Sequence, residues 1–179
     1  MMSVKRFFVK YFNGFSLHHE EELFSNFFIE SDFSVAGFSY GAQQAFEYVY
    51  NSKKRVDRLI LLSPAFFQVK KPSFSRTQLR YFEAEQEAYI KKFLDNVTFP
   101  SGLNLSVYLK VGISEELEAL LTYKWDKQKI QKILDKGIVI EVFLGTCDKI
   151  IDTQASFDFF KPLTTTYFIK DVGHLLRGN

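Results

Sequence analysis

The run Gly37-Phe38-Ser39-Tyr40-Gly41 sets a serine between two glycines. Phe33-Ser34-Val35-Ala36 before it reads as a short apolar strand, and residues 42–50 after it read as a helix. A serine at such a junction sits on a strained turn that holds its hydroxyl clear of a sheet, the setting of a nucleophile elbow. The flanking glycines answer a steric need, because side chains there collide with the neighbouring strand and helix. A glycine-flanked surface turn does not account for the change from strand to helix across Ser39. A serine nucleophile needs a base, and the base needs an orienting acid, here in the chain order Ser, Asp or Glu, His. Asp148 follows the strand-like Phe143-Leu144-Gly145, and His174 follows the last strand-like segment. Of the three histidines, only His174 lies beyond a strand end. In this arrangement Asp148 fixes the tautomer of His174 and stabilises its imidazolium. His174 takes the Ser39 proton and later activates water.

Other reactive side chains have simpler readings. Asp152 competes with Asp148, but it precedes Thr153-Gln154-Ala155 as a helix N-cap would. Asp171 reads as a loop residue. Cys147 has no elbow and reads as a small filler thiol. His18 and His19 precede Glu20-Glu21-Glu22. Adjacent histidines point in different directions, and acidic residues at a helix start complement the macrodipole. The expectation there is a solvated helix N-terminus. No metal and no cofactor is expected.

Acyl transfer also needs two backbone N–H donors aimed at the developing oxyanion. Tyr40, next after the serine, supplies one. The turn Asn13-Gly14-Phe15 after the first strand supplies the other, from the Phe15 N–H. Gly14 lets that backbone come close.

The elements that must position these groups alternate along the chain. Strands are predicted over residues 4–12, 33–38, 56–62, 137–144 and 164–169. Helices are predicted over 20–29, 40–51, 125–136 and 153–160. Such alternation argues for a parallel α/β sheet. Residues 66–124 break the pattern with helices at 74–94 and 115–123 and no convincing strand. They read as a helical lid inserted over the carboxyl ends of the strands, where open α/β sheets bind ligands. The core halves are then residues 1–65 and 125–179. A chain of 179 residues is long enough for one sizeable core. Its 21 phenylalanines fit an apolar cavity as well as a phenylalanine-rich core. A net charge of +2 gives no argument for a nucleic-acid partner. The single cysteine excludes an intramolecular disulfide framework and fits a reducing cytoplasm. Lys5, Arg6 and Lys10 interrupt the apolar N-terminus, so it does not read as a signal peptide. No stretch approaches the ~20 apolar residues of a membrane span.

With these parts in place the chain resembles the α/β-hydrolase fold carboxylesterases. More narrowly, it is similar to the pimeloyl-acyl-carrier-protein methyl ester esterases of biotin synthesis, particularly the short BioV type. The resemblance runs through the abrupt start from Phe7-Phe8 to Gly14-Phe15 and Val35-Ala36-Gly37-Phe38-Ser39. It continues in Leu61-Leu62-Ser63-Pro64, Glu141-Val142-Phe143-Leu144-Gly145, Asp148-Lys149-Ile150 and Gly173-His174-Leu175-Leu176. It implies hydrolysis of a methyl ester at the far end of a pimeloyl chain borne by acyl carrier protein. It implies catalytic Ser39, Asp148 and His174, with Phe15 and Tyr40 as oxyanion donors. In the larger BioH-type enzymes, lid arginines hold the acidic carrier and its phosphopantetheine. Their Arg-Thr-x-x-Arg segment is similar to Arg76-Thr77-Gln78-Leu79-Arg80, which sets Arg76 and Arg80 on one helix face. The bland alternative is a solvated basic helix start.

The usual fold has two strands before the oxyanion turn and one more between that turn and the elbow. Too few residues are present for these here, so the expectation is a truncated α/β-hydrolase fold of about five parallel strands in chain order. Fewer helices then cover the sheet, and an uncovered apolar patch with self-association is a further expectation. Two other functions share these signals: a general short-chain carboxylesterase or thioesterase, and a non-catalytic hydrolase-fold binding protein.

Overall fold

The computed structural model describes residues 9–29 and 31–179. The strand predicted over residues 4–12 is seen as β1 (Val9–Phe12), its earlier part lying outside the described residues. The other elements are β2 (Ser34–Phe38), α1 (Tyr40–Asn51), β3 (Arg58–Leu62), α2 (Pro72–Ala84) and α3 (Gln86–Thr98). They continue with α4 (Ser114–Thr122), α5 (Lys127–Asp135), β4 (Val139–Gly145), α6 (Thr153–Phe160) and β5 (Thr165–Ile169). The five strands form one sheet in the order β1-β2-β3-β4-β5, every neighbouring pair parallel. Chain order therefore equals spatial order, as the truncated arrangement requires.

Near-continuous apolar runs mark strands buried on both faces, and the central strands behave so. In β2 Val35 packs into one core while Ala36 and Phe38 pack into the other. In β3 Leu59 and Leu61 face the first core, and Ile60 and Leu62 the second. The first core is closed by α1, α5 and α6 through Phe46, Ile130, Ile133 and Phe160. The second is closed by the 3₁₀ helix Glu20–Phe27, whose Phe24 lies against Phe38 at 4.8 Å between ring centroids. Each fully buried side chain of this size contributes about 1.5–3 kcal/mol.

Cover thins out toward β5. On the second face Phe143 stacks on Tyr167 at 4.7 Å, while Val139 and Tyr167 are exposed. Among the described residues no helix is long and apolar enough to cross a membrane.

Two local expectations are corrected. Residues 20–29 do not form an α-helix but the 3₁₀ helix Glu20–Phe27, entered through a left-handed His19 with φ 58°. Residues 74–94 form parts of two helices, α2 and α3, broken at Glu85 with φ −144° and ψ 69°. A straight helix of that length would run for about 30 Å. The break instead turns both halves onto one side chain: Phe82 of α2 and Phe93 of α3 both pack edge-on against Phe15, at 6.0 and 5.7 Å.

Candidate active site

The elbow is built as its residue types demand. A Cβ at Gly37 would meet the Gly41 carbonyl oxygen at 2.1 Å, and one at Gly41 would meet the Phe12 oxygen at 2.0 Å. Neither backbone contact can yield to a larger residue. Ser39 itself has φ 54° and ψ −112°, a conformation L-residues rarely adopt. Three hydrogen bonds hold it there. Its N–H donates to Leu62 O at 2.9 Å, and its carbonyl accepts from Ala42 N and Ala65 N, each at 3.1 Å. The strain is thus sustained by the adjacent strand and the first turn of α1.

From this turn Ser39 Oγ lies 2.9 Å from His174 Nε2, and His174 Nδ1 lies 2.5 Å from Asp148 Oδ2. The His174 and Asp148 side chains are both wholly buried. The second Asp148 oxygen accepts from Ile150 N at 2.6 Å and Ile151 N at 3.1 Å. The carboxylate is therefore fixed by donors on both oxygens. The structure thus brings together Ser39, Asp148 and His174, which are far apart in sequence. Asp152 caps α6 instead, accepting from Ala155 N at 2.9 Å. Asp171 is exposed in its loop and Cys147 is half-buried beside Thr146.

Tyr40 opens α1, so its N–H has no partner within the helix. Among the described residues neither the Tyr40 N–H nor the Phe15 N–H has an acceptor. Phe15 and Ser39 line one cavity of about 230 Å³. Its walls are mainly apolar and come from α2, α3 and α4, including Phe74, Phe93, Leu117 and Leu121. That volume lies below the ~300–1,000 Å³ of drug-sized sites. Burial pushes the Tyr89 hydroxyl in its wall up to about 12. The cations lining the cavity are Lys92 and Lys149, the latter 3.5 Å from the centroid of the Phe99 ring. Arg76 and Arg80 stand on the exposed face of α2 and are not among its lining residues.

Several contributors carried no sequence signal. Ser63, buried at the end of β3, donates its hydroxyl to His174 O at 2.6 Å and so tethers the histidine loop. Gln43 of α1 donates to Ala65 O and Leu120 O, each at 3.0 Å, linking the elbow helix to α4. The expected solvated start at His18 to Glu22 is corrected at Glu20, which is fully buried. Its Oε1 accepts from Gly14 N at 2.7 Å and from the Tyr11 hydroxyl at 2.9 Å. His18 Nδ1 pairs with Tyr108 O at 3.0 Å, and among the described residues no cluster suited to a metal is found.

Burial holds the Glu20 carboxyl above the ordinary glutamate range, against the lowering effect of donors from Gly14, its own backbone and Tyr11, while Glu21 on its own helix adds repulsion. A carboxyl raised in the folded state contributes stability that is complete below the unfolded pKa. That contribution is lost as pH rises through the folded one. Glu20→Gln is therefore expected to reduce the fall in stability between pH 4 and pH 8. Urea midpoints of both proteins at the two pH values check this, and equal falls would contradict it.

Sheet, elbow and the helices between β3 and β4 are those of a truncated α/β-hydrolase fold, with five strands among the described residues. No protein-family model matches the sequence, and no curated protein does. Solved structures match the fold. Naproxen esterase (carboxylesterase NP) from Bacillus subtilis is similar with a TM-score of 0.56 and 16% identity over 79% of this chain and 53% of its own. The chain thus spans about half the length of that enzyme. BioG from Haemophilus influenzae matches with a TM-score of 0.59 and 13% identity over 93% of this chain and 88% of its own. Est816, described as an N-acyl homoserine lactone degrading enzyme, matches with a TM-score of 0.66 and 12% identity over 93% and 86%.

Proposed function

We propose that the protein is a serine ester hydrolase. One observation carries this: the unbroken Ser39–His174–Asp148 hydrogen-bond chain opening on an apolar cavity. Ser39 Oγ attacks the ester carbonyl as His174 Nε2 takes its proton. The carbonyl oxygen becomes an oxyanion held by the Tyr40 and Phe15 N–H groups. Asp148 stabilises the imidazolium, which then protonates the departing alcohol as the C–O bond breaks. His174 next draws a proton from water, whose oxygen attacks the acyl-serine. Collapse releases the carboxylic acid and returns the proton to Ser39.

The particular substrate we propose is the methyl ester of a pimeloyl chain carried on acyl carrier protein, giving methanol and the free carboxylate in biotin synthesis. The sequence resemblance supports it, as does a cavity sized for a short acyl chain with Lys92 and Lys149 in its lining. Arg76 and Arg80, with no ion pair among the described residues, supply the basic surface for an acidic carrier. The test compares methanol release from methyl-pimeloyl-acyl carrier protein with release from free methyl pimelate. Faster turnover of the carrier-linked ester is expected, and equal kcat/KM for both would remove the carrier from the proposal.

Charge reversal probes the docking surface directly. R76E/R80E is expected to raise KM for the carrier-linked ester at least about tenfold, because like charges then oppose docking. Hydrolysis of p-nitrophenyl butyrate should stay within about threefold, since the triad is untouched. Equal losses on both substrates would show that α2 shapes the cavity instead.

A further inference from the structure

We propose that Glu20 is a positioning residue for the oxyanion site, acting through Gly14; the inference rests on the ester-hydrolase reading above. Gly14 is the flexible point of the turn that presents the Phe15 N–H, and glycine by itself leaves that turn many conformations. Both of its peptide groups are held. Its N–H donates to Glu20 Oε1 at 2.7 Å, and its carbonyl accepts from Leu17 N at 3.2 Å. In a trans peptide the carbonyl and the following N–H point in opposite directions. With the Gly14 carbonyl committed to Leu17, the Phe15 N–H must point away from Leu17. It is left without an acceptor among the described residues, while Phe15 and Ser39 line the same cavity.

Glu20 is itself anchored to the catalytic elements. Tyr11 of β1 donates to the same oxygen at 2.9 Å. Four residues along the 3₁₀ helix, Phe24 packs on Phe38, and the Phe38 ring lies 5.0 Å from the His174 ring. A carboxylate is a stronger acceptor for a backbone N–H than a neutral group. That suits a post that must hold a glycine still. Its other oxygen, Oε2, is buried without a protein partner, an arrangement that packing alone would not favour.

Steady-state kinetics on p-nitrophenyl butyrate test this with wild type, E20A, E20Q, Y11F and S39A. Losing an oxyanion donor costs about 10²–10³ in kcat, and a displaced donor keeps part of that. E20A is expected to lower kcat about 30- to 100-fold with KM within about threefold. In E20Q the amide oxygen can accept the same bonds, so kcat should recover to within about fivefold of wild type. Y11F keeps the Gly14 bond and should lose no more than about fivefold. An E20A kcat within threefold of wild type would overturn the inference, as would a loss confined to KM or an E20Q as poor as E20A. Hydrogen exchange in the wild-type protein needs no variant to fold: slow exchange of the Gly14 amide is expected, and exchange at open-loop rates overturns the inference. S39A separates the two readings. If it keeps wild-type turnover, the hydrolase reading falls and the positioning role with it; if it is inactive and E20A is not impaired, only the role of Glu20 falls.

Discussion

Ser39→Ala lowers kcat for p-nitrophenyl butyrate by about 10⁶, the loss that follows removal of a serine nucleophile from an intact triad. The size follows from what the hydroxyl does. It is the atom that bonds to substrate, and His174 and Asp148 act only through it. The fold survives, because among the described residues the side chain makes one hydrogen bond, to His174 Nε2 at 2.9 Å, and the strained backbone is held by Leu62, Ala42 and Ala65 through main-chain groups. Alanine at this φ keeps the same strain that serine bears. Circular dichroism and the urea midpoint should therefore match wild type while turnover disappears. Hydrolysis within tenfold of wild type would remove Ser39 from the reaction.

Asp148→Asn costs at least about 10² more in kcat than Asp152→Asn, and up to the ~10⁴ typical of an amide in place of a triad acid. An amide at position 148 can turn its NH2 toward His174 Nδ1 and so favour the tautomer that cannot accept the Ser39 proton. Its oxygen can still accept from Ile150 N and Ile151 N, so the loop keeps its shape. At position 152 the amide oxygen still caps Ala155 N, and asparagine is as good an N-cap as aspartate. The contrast isolates tautomer control from loop folding. kcat values for both variants on one ester decide it, and reversed penalties would move the acid to Asp152.

The members of the Ser39–His174–Asp148 hydrogen-bond chain are readable from sequence because each is announced by its own neighbourhood. Gly37 and Gly41 are demanded by backbone contacts under 2.2 Å, and Asp148 and His174 each follow a run that must be a strand. The sheet was readable because its strands are short apolar runs set between helices. What escaped depends on contacts between distant segments. Glu20 stands in a run of three glutamates, and nothing local says that the first turns inward to Gly14 and Tyr11 while Glu22 pairs with the Tyr108 hydroxyl. Ser63 resembles any serine before a proline, yet its hydroxyl reaches the His174 carbonyl across 111 residues. The break at Glu85 has no proline or glycine to announce it. Phe82 and Phe93 on either side of it both pack on the ring of Phe15, a contact between distant segments.

The central claim, that Ser39 is a nucleophile activated by His174, is tested most directly by reaction with a fluorophosphonate and location of the adduct by peptide mass spectrometry. The account predicts one adduct, on Ser39, formed stoichiometrically in the wild-type protein and slowed by at least about 10³-fold in His174→Ala, since the serine then lacks its base. No adduct on Ser39 in the folded wild-type protein, or labelling just as fast without His174, would contradict it.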